Sequence, residues 1–283
     1  MSDVTAGIFV FLIGACFGSF LNVCIGRWPD GLSVVKPRSR CPKCGHQITA
    51  MENIPILSWL LLRGRCSGCR ESISAQYPIV EALVGFVWLA SFLEYGMTFT
   101  AFRLAVFATV LMGIAITDAK HFIIPDGFTV FGLLFLVVTV FVSLYLGELE
   151  PFAGPWDAII GMCVGAGAIA IVGWLGDVAL KRPAMGFGDV TLMAVVGAAV
   201  GPTRSLLTIF IASVIAPVVL IGIVYPFSRG LADDGGQTEL ALEAVQGWRK
   251  RELPFGVFLA PAAVIALVCG DSIIAWYMRI SGL

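Results

Sequence analysis

The sequence predicts an all-α polytopic membrane protein, with about eight transmembrane helices and a small cytoplasmic four-cysteine zinc-binding insert. Three observations lead there. Of 283 residues 58% are hydrophobic and only 13% charged, against about 45–50% and 25% in soluble domains, and the mean hydropathy is +0.93. Apolar runs of membrane-spanning length recur along the chain. The one long polar interruption carries two C-x-x-C pairs. This composition excludes a disordered chain and a fibrous repeat. A net charge of -1 supplies no basic field for nucleic acid. The two histidines form no H-E-x-x-H, which removes the common intramembrane zinc-protease arrangement.

The first span runs from Val4 to Gly26 without a charge, and the residues before it, Met1, Ser2 and Asp3, lack the basic start of a cleaved signal peptide. Further apolar runs follow at Ile79 to Met97, Phe102 to Thr117, Phe128 to Gly147, Ala158 to Gly176, Val190 to Gly201, Ser205 to Phe227 and Phe255 to Trp276. The run from Val190 holds only about a dozen residues, short enough for a re-entrant or buried segment. With all eight crossing, fifteen of the 18 Lys and Arg residues fall on one side. The positive-inside rule makes that side cytoplasmic and leaves both termini outside. The polar loop Ser228 to Pro254 reads as a solvated connector with a short helix opening at Thr238. No internal repeat is evident.

Cys41-Pro-Lys-Cys44 and Cys66-Ser-Gly-Cys69 are separated by 21 residues, the spacing of a tetrahedral four-cysteine zinc ribbon. Gly45 and Gly68 suit the tight knuckle turns, and Arg40, Lys43, Arg65 and Arg70 offset the charge of four thiolates. Two disulfides are the other reading, disfavoured in a reducing cytosol. Four protein ligands leave no open position, so the ion is structural and folds an insert too small to hold itself together. Cys16, Cys24, Cys163 and Cys269 lie in apolar runs and read as small buried hydrophobes.

Ionisable groups at span ends are costly and therefore candidate functional residues. Asp118 ends the third span and Asp189, in Met185-Gly186-Phe187-Gly188-Asp189, opens the sixth; the derived topology puts both at the cytoplasmic edge. Two carboxylates in one site share a proton, which gives a general base and a general acid together. One would take a proton from a water attacking a scissile carbonyl while the other stabilises the oxyanion. Gly186 and Gly188 allow close approach beside Asp189. The competing reading is helix capping, which suits Asp189 and explains Asp118 poorly, because an anion at a helix C-terminus opposes the dipole. Asp126, after Ile124-Pro125, reads as a cap or turn residue. Glu81, Asn22 and Arg27 face the same layer, where helix pairing and snorkelling also account for them.

These residues resemble the type IV prepilin peptidases, membrane aspartic proteases of the GxGD type. The resemblance is carried by Gly18-Ser19-Phe20-Leu21-Asn22-Val23 with Arg27, by Ser39 to His46, by Asn53 to Trp59, by Arg63-Gly64-Arg65-Cys66, by Asp118 with Ile124-Pro125-Asp126, and by Met185 to Asp189. It implies cleavage of the basic leader from prepilins or type II secretion pseudopilins at the inner membrane's cytoplasmic face. It also implies N-methylation of the exposed residue, usually phenylalanine, with S-adenosylmethionine as donor. Asp118 and Asp189 inherit the catalytic pair, with Gly186, Gly188 and Asp126 in support. Glu81, Asn22 and Arg27 become candidate methyl-donor or substrate contacts. The position two after Asp189, often lysine in the family, is Thr191.

The expected organisation is a first transmembrane helix over 1–26, a cytoplasmic insert over 27–78 serving as a methyltransferase or substrate platform, and a transmembrane peptidase domain over 79–283 that contains the loop 228–254. The basic insert also suits contact with membrane lipid headgroups. Two alternatives differ in class. A zinc-stabilised scaffold or transporter would use the carboxylates for cations or protons, and a presenilin-type GxGD protease would cut within a transmembrane substrate.

Overall fold

The computed structural model describes residues 3–181, 185–220, 222 and 254–282. The loop expected over 228–254, Pro254 apart, and the helix expected at Thr238 lie outside the described residues. Nine α-helices follow one another among the described residues: α1 (Asp3–Arg27), α2 (Leu57–Leu61), α3 (Gln76–Tyr95), α4 (Phe99–His121), α5 (Asp126–Leu146), α6 (Pro155–Leu180), α7 (Phe187–Val200), α8 (Pro202–Val219) and α9 (Gly256–Ser281). Each expected apolar run coincides with one of them over its described residues; the end of the run from Ser205, residues 221 and 223–227, lies outside the described residues. Seven are long and apolar enough to cross a membrane. The eighth, α7, has 14 residues, about 21 Å at a helical rise of 1.5 Å, short of a hydrocarbon core of about 30 Å. The chain forms two compact units, Met1–Gly113 and Ile114–Leu283, divided within α4.

In the first unit α1 and α3 pack antiparallel on a stripe of glycines. A Cβ on Gly14 would stand 2.7 Å from Trp88 and 3.0 Å from Gly85, and one on Gly18 would stand 2.7 Å from the Glu81 Cα. The Gly14-x-x-x-Gly18 spacing thus lets the two backbones meet, the usual device where lipid removes the hydrophobic drive between helices. Phe17 stacks on Trp88 at 4.5 Å. The Trp88 indole donates to the Thr109 hydroxyl at 3.1 Å, and Thr109 in turn donates to the Ala105 carbonyl at 2.7 Å. A buried indole N–H is thereby satisfied without water.

Between α1 and α3 the insert is built from two knuckles of the same design. Cys41 N–H donates to His46 and Cys66 N–H to Glu71, both at 2.8 Å, and isolated antiparallel bridges pair Arg40 with Gln47 and Arg65 with Ser72. The segments Arg40 to Gln47 and Arg65 to Ser72 are therefore a short internal repeat that the sequence alone did not reveal. Position four after the first cysteine takes the left-handed conformation in each: Gly45 with φ 73° and Arg70 with φ 63°. Gly68, expected to serve that purpose, instead leaves room for the His46 Cβ, 3.2 Å from where its own Cβ would be.

In the second unit the shortest apolar helix is the most deeply packed. Leu192, Met193, Val195, Val196, Ala199 and Val200 of α7 are all nearly inaccessible. A helix surrounded by protein need not match the bilayer's thickness, which accounts for the short sixth run. The α6–α7 contact is backbone on backbone: a Cβ on Gly161 would stand 2.2 Å from the Gly197 carbonyl, and one on Gly197 would stand 2.0 Å from that of Gly161. Arg204 ties α8 to α9, donating to the Leu267 carbonyl at 3.4 Å and pairing with Asp271 at 3.5 Å.

The cysteines outside the insert divide differently from expectation. Cys24 is buried, whereas Cys16, Cys163 and Cys269 are exposed. They sit on outward faces of α1, α6 and α9, where an apolar side chain needs no protein cover if the surrounding solvent is lipid.

Candidate functional site

Asp118 lies in the last turn of α4, 5% exposed. Its carbonyl accepts the Phe122 N–H at 2.9 Å, and the chain then reverses through Phe122 at φ 57° before Pro125 leads into α5. The backbone N–H groups of Gly256 and Val257, in the first turn of α9, approach the Asp118 carboxylate. A carboxylate at the unfavourable end of its own helix thus faces the favourable end of another. Its Oδ2 is buried and has no hydrogen-bond partner among the described residues.

Asp189 is the third residue of α7. Gly186 holds the N-cap position with an extended backbone, and the Asp189 N–H donates to the Gly186 carbonyl at 3.2 Å. The Asp189 Oδ2 lies 3.7 Å from where a Gly186 Cβ would be. Thr191 donates its hydroxyl to the Gly188 carbonyl at 2.9 Å, so the position that is often lysine in the family turns back onto its own helix here.

One side chain joins the two neighbourhoods. Ile124 packs against Gly188, 3.0 Å from its Cβ position, and reaches Gly256, 3.1 Å from that Cβ position, where Asp118 Oδ2 also stands at 2.8 Å. Asp118, Gly256, Ile124 and Gly188 are therefore contiguous, and Asp189 is next in the chain. Asp126 does not join them: it is exposed in the first turn of α5, following an N-cap Pro125, where its charge suits the helix dipole. The sequence marks Ile124 only as part of the Ile124-Pro125-Asp126 motif and does not single out Gly256 or Val257 as site residues. The signal available for Gly256 was its place at the start of an apolar run, where a glycine contributes nothing to helix stability.

The four cysteines of the insert converge. Their sulfurs all lie within 4.8 Å of one another, with Cys41 to Cys69 at 3.8 Å and Cys44 to Cys66 at 3.9 Å. Tetrahedral ligands at a zinc–sulfur length of about 2.3 Å stand about 3.8 Å apart. None of the four is in a disulfide. The backbone N–H groups of Cys44 and Lys43 draw the Cys41 thiol down to about 6. The Glu71 N–H pulls Cys69 the same way, but the crowding sulfurs of Cys44, Cys66 and Cys41 push it up to about 12. Four thiolates so close require a cation to be charged together, and the donor set fits a closed four-sulfur metal site.

Around that cluster, His46 and Glu52 pair at 3.2 Å, and the Ser67 hydroxyl lies 3.1 Å from the same His46 Nε2. This links the first knuckle to the second. Glu52 also accepts from the Thr49 N–H and hydroxyl at 2.8 and 2.9 Å. The Ser67 hydroxyl, then Thr49 and His46, hold its carboxyl at about 2.

Glu81 and Asn22 lie about one helical turn apart where the end of α1 pairs with the start of α3, and both are buried. Glu81 Oε2 accepts the N–H of Ile56 at 2.7 Å, so a span residue anchors the insert. Ile56 has φ 62°, a costly conformation for a β-branched residue. Asn22 donates through Nδ2 to the Tyr77 carbonyl at 3.1 Å. Arg27 stands apart, half-buried, donating to the Ser33 carbonyl at 2.9 Å.

Two family descriptions match the chain, the Bacterial Peptidase A24 N-terminal domain over residues 12–95 and the Type IV leader peptidase family over residues 105–221. A prepilin leader peptidase/N-methyltransferase of Aeromonas hydrophila is 32% identical over 297 residues, covering 95% of this chain and 92% of that protein. The chain belongs to the type IV leader peptidase family. A relative of the same name from Bacillus subtilis is 30% identical and covers 96% of this chain and 98% of itself. One from Myxococcus xanthus is 41% identical over 191 residues, and there the match spans about half of the relative, 55%. No solved structure matches. Both matched segments contain residues described above: the four cysteines, Asn22 and Glu81 in the first, Asp118, Ile124 and Asp189 in the second. Membership of the family, with seven long apolar helices, makes this a multi-pass membrane protein, and decides for a peptidase over a scaffold or transporter.

Proposed function

We propose that Asp118 and Asp189 are the catalytic pair with which this chain, a prepilin leader peptidase and N-methyltransferase, removes the leader from type IV prepilins or type II secretion pseudopilins. The observation that carries this reading is Ile124, whose side chain touches Gly188 on one side and Gly256 beside Asp118 on the other. One carboxylate, ionised, takes a proton from the water that attacks the scissile carbonyl. The other, protonated, donates to the developing oxyanion and then assists the leaving amine. Gly186 keeps the approach to Asp189 open, Gly188 lets the Ile124 side chain come close beside it, and Asp126 supports the turn from Pro125 into α5.

The four cysteines hold a structural zinc ion that ties the two knuckles of the insert together. The segment 27–78 is a cytoplasmic platform for the prepilin and for lipid headgroups, and 79–283 is the peptidase domain. The spacing of Lys and Arg supports an inner-membrane enzyme with its insert and both aspartates on the cytoplasmic side and its termini outside. S-adenosylmethionine supplies the methyl group when bound. The buried acceptors Asn22 Oδ1 and Glu81 suit the positively charged groups of such a reaction, with Arg27 a further candidate contact.

Mass spectrometry of a prepilin incubated with the purified protein and S-adenosylmethionine tests this, beside Asp118→Asn and Asp189→Asn. Wild type should remove the leader and add one methyl mass, and either folded variant should leave the leader intact. Cleavage by either folded variant would sink the dyad.

A further inference from the structure

The Asn22 amide is oriented by what it donates. Because Nδ2 must face the Tyr77 carbonyl, Oδ1 points the other way, and it is buried with no hydrogen-bond partner among the described residues. The residue is only 7% exposed. An acceptor taken out of water and left unpaired is costly and calls for an explanation.

Glu81 lies one helical turn away. In the antiparallel register Gly18 meets Glu81, while Asn22, one turn along α1, meets Tyr77, one turn back along α3. Glu81 is 8% exposed, and its carboxylate is held by two neutral donors, the Ile56 N–H and the Ser19 hydroxyl. Neither the His46–Glu52 nor the Arg204–Asp271 ion pair involves it, and the nearest basic residue along α1, Arg27, is engaged with Ser33. A buried carboxylate next to an unpaired amide oxygen and a hydroxyl is a set of acceptors without a cation.

We propose that Asn22 Oδ1, the Glu81 carboxylate and the Ser19 hydroxyl bind a primary α-ammonium group of a ligand. An ammonium presents three N–H donors, one for each of these oxygens, whereas a divalent metal ion would want more oxygen ligands than one carboxylate and two neutral groups supply. The proposal rests on the N-methyltransferase reading above, in which two α-ammonium groups take part: that of the newly exposed N-terminal residue and that of the methyl donor. The site lies where α1 gives way to the insert, under the turn at Ile56 that Glu81 itself holds. Arg27 is no part of it.

The test is a binding measurement on the full chain in lipid nanodiscs. One ligand pair is a peptide beginning with a free phenylalanine amine and its N-acetylated form. The other is S-adenosylhomocysteine and its N-acetylated form. Wild type should prefer the free amine by about tenfold or more in at least one pair, since hydrogen bonds to a charged group are the strong ones. The pair that discriminates identifies the ligand as methyl acceptor or as donor. Glu81→Gln keeps an acceptor for Ile56 while removing the charge, and Asn22→Ala removes the unpaired oxygen; each should abolish the preference with retained zinc content reporting an intact insert. No preference in wild type in either pair overturns the proposal, as does an undiminished preference in either folded variant. Leader cleavage by wild type in the same samples reports separately on the aspartate pair, so failure of one reading is distinguishable from failure of the other.

Discussion

The Asp118 carboxylate lies against Gly256, so closely that a Cβ there would stand 2.8 Å from Oδ2 and 3.3 Å from the carboxyl carbon. The first turn of α9 is therefore one wall of the site, and any side chain on it acts directly on Asp118. Gly256→Ala should displace that carboxylate or Ile124. Misplacing a reacting group by about an ångström costs about a hundredfold in rate, so leader cleavage should fall by roughly ten- to a hundredfold. Initial rates on a prepilin, with the thermal midpoint measured beside them, check this. A fully active Gly256→Ala protein would mean that Asp118 is free to move without consequence.

Much of this site was legible in the sequence because its signals are local. Apolar runs broken by charge give the spans, the C-x-x-C spacing gives the metal cluster, and Asp118 and Asp189 stand out as acids at span ends. What was not legible depends on contacts between distant segments. Nothing near Gly256 in the chain announces that Asp118, well over a hundred residues earlier, will press on it. Nor does a 14-residue apolar run declare whether it crosses the bilayer or fills a core, since burial by protein removes the length requirement that identifies spans. The repeat of the two knuckles was hidden by unlike residues at equivalent places, Gly45 and Arg70, that share a backbone conformation.

The α6–α7 contact should tolerate almost no side chain. A Cβ on Gly161 or Gly197 meets backbone, at 2.2 and 2.0 Å, and backbone cannot swing aside as a side-chain tip does. Gly161→Ala and Gly197→Ala should each destabilise the second unit by about 3 kcal/mol or more, at or beyond the top of the usual range for overpacking. Gly167, on the same α6, has open space at its Cβ position, so Gly167→Ala should be neutral or gain up to about 1 kcal/mol from helix propensity. Thermal or denaturant unfolding in detergent, comparing all three, decides it. Similar losses for Gly161→Ala and Gly167→Ala would refute the packing argument.

The insert should depend on one metal ion per chain. Cys66 is the buried member of the four, and its loss leaves three sulfurs and an opening to water, so Cys66→Ser should lower bound zinc well below one equivalent by elemental analysis. Chelation of wild type should loosen the insert in the same way, seen as faster protease cutting between Arg40 and Ser72. Full zinc retention in Cys66→Ser, or an insert indifferent to chelation, would remove the structural role.

Glu52 gives the insert a dependence on pH with a definite sign. Its carboxyl is held at about 2, below its ordinary 4.5, first by the Ser67 hydroxyl and then by Thr49 and His46. A carboxylate depressed on folding stabilises the folded form fully above its unfolded value, and that contribution is lost as pH falls through the folded one. The window here runs from about 4.5 down to about 2. Glu52→Gln removes the charge while keeping the shape, so the variant's insert should open more readily than wild type at neutral pH. The difference should stay constant down to about pH 4.5 and narrow below it. Amide hydrogen exchange of Cys41, Ile48, Cys66 and Ile73, whose N–H groups close the two knuckles, measures this in the full chain, labelled across that range. A wild-type-to-variant difference that persists unchanged at the acid end would show that the charge of Glu52 contributes nothing to joining Ser67 and His46 across the knuckles.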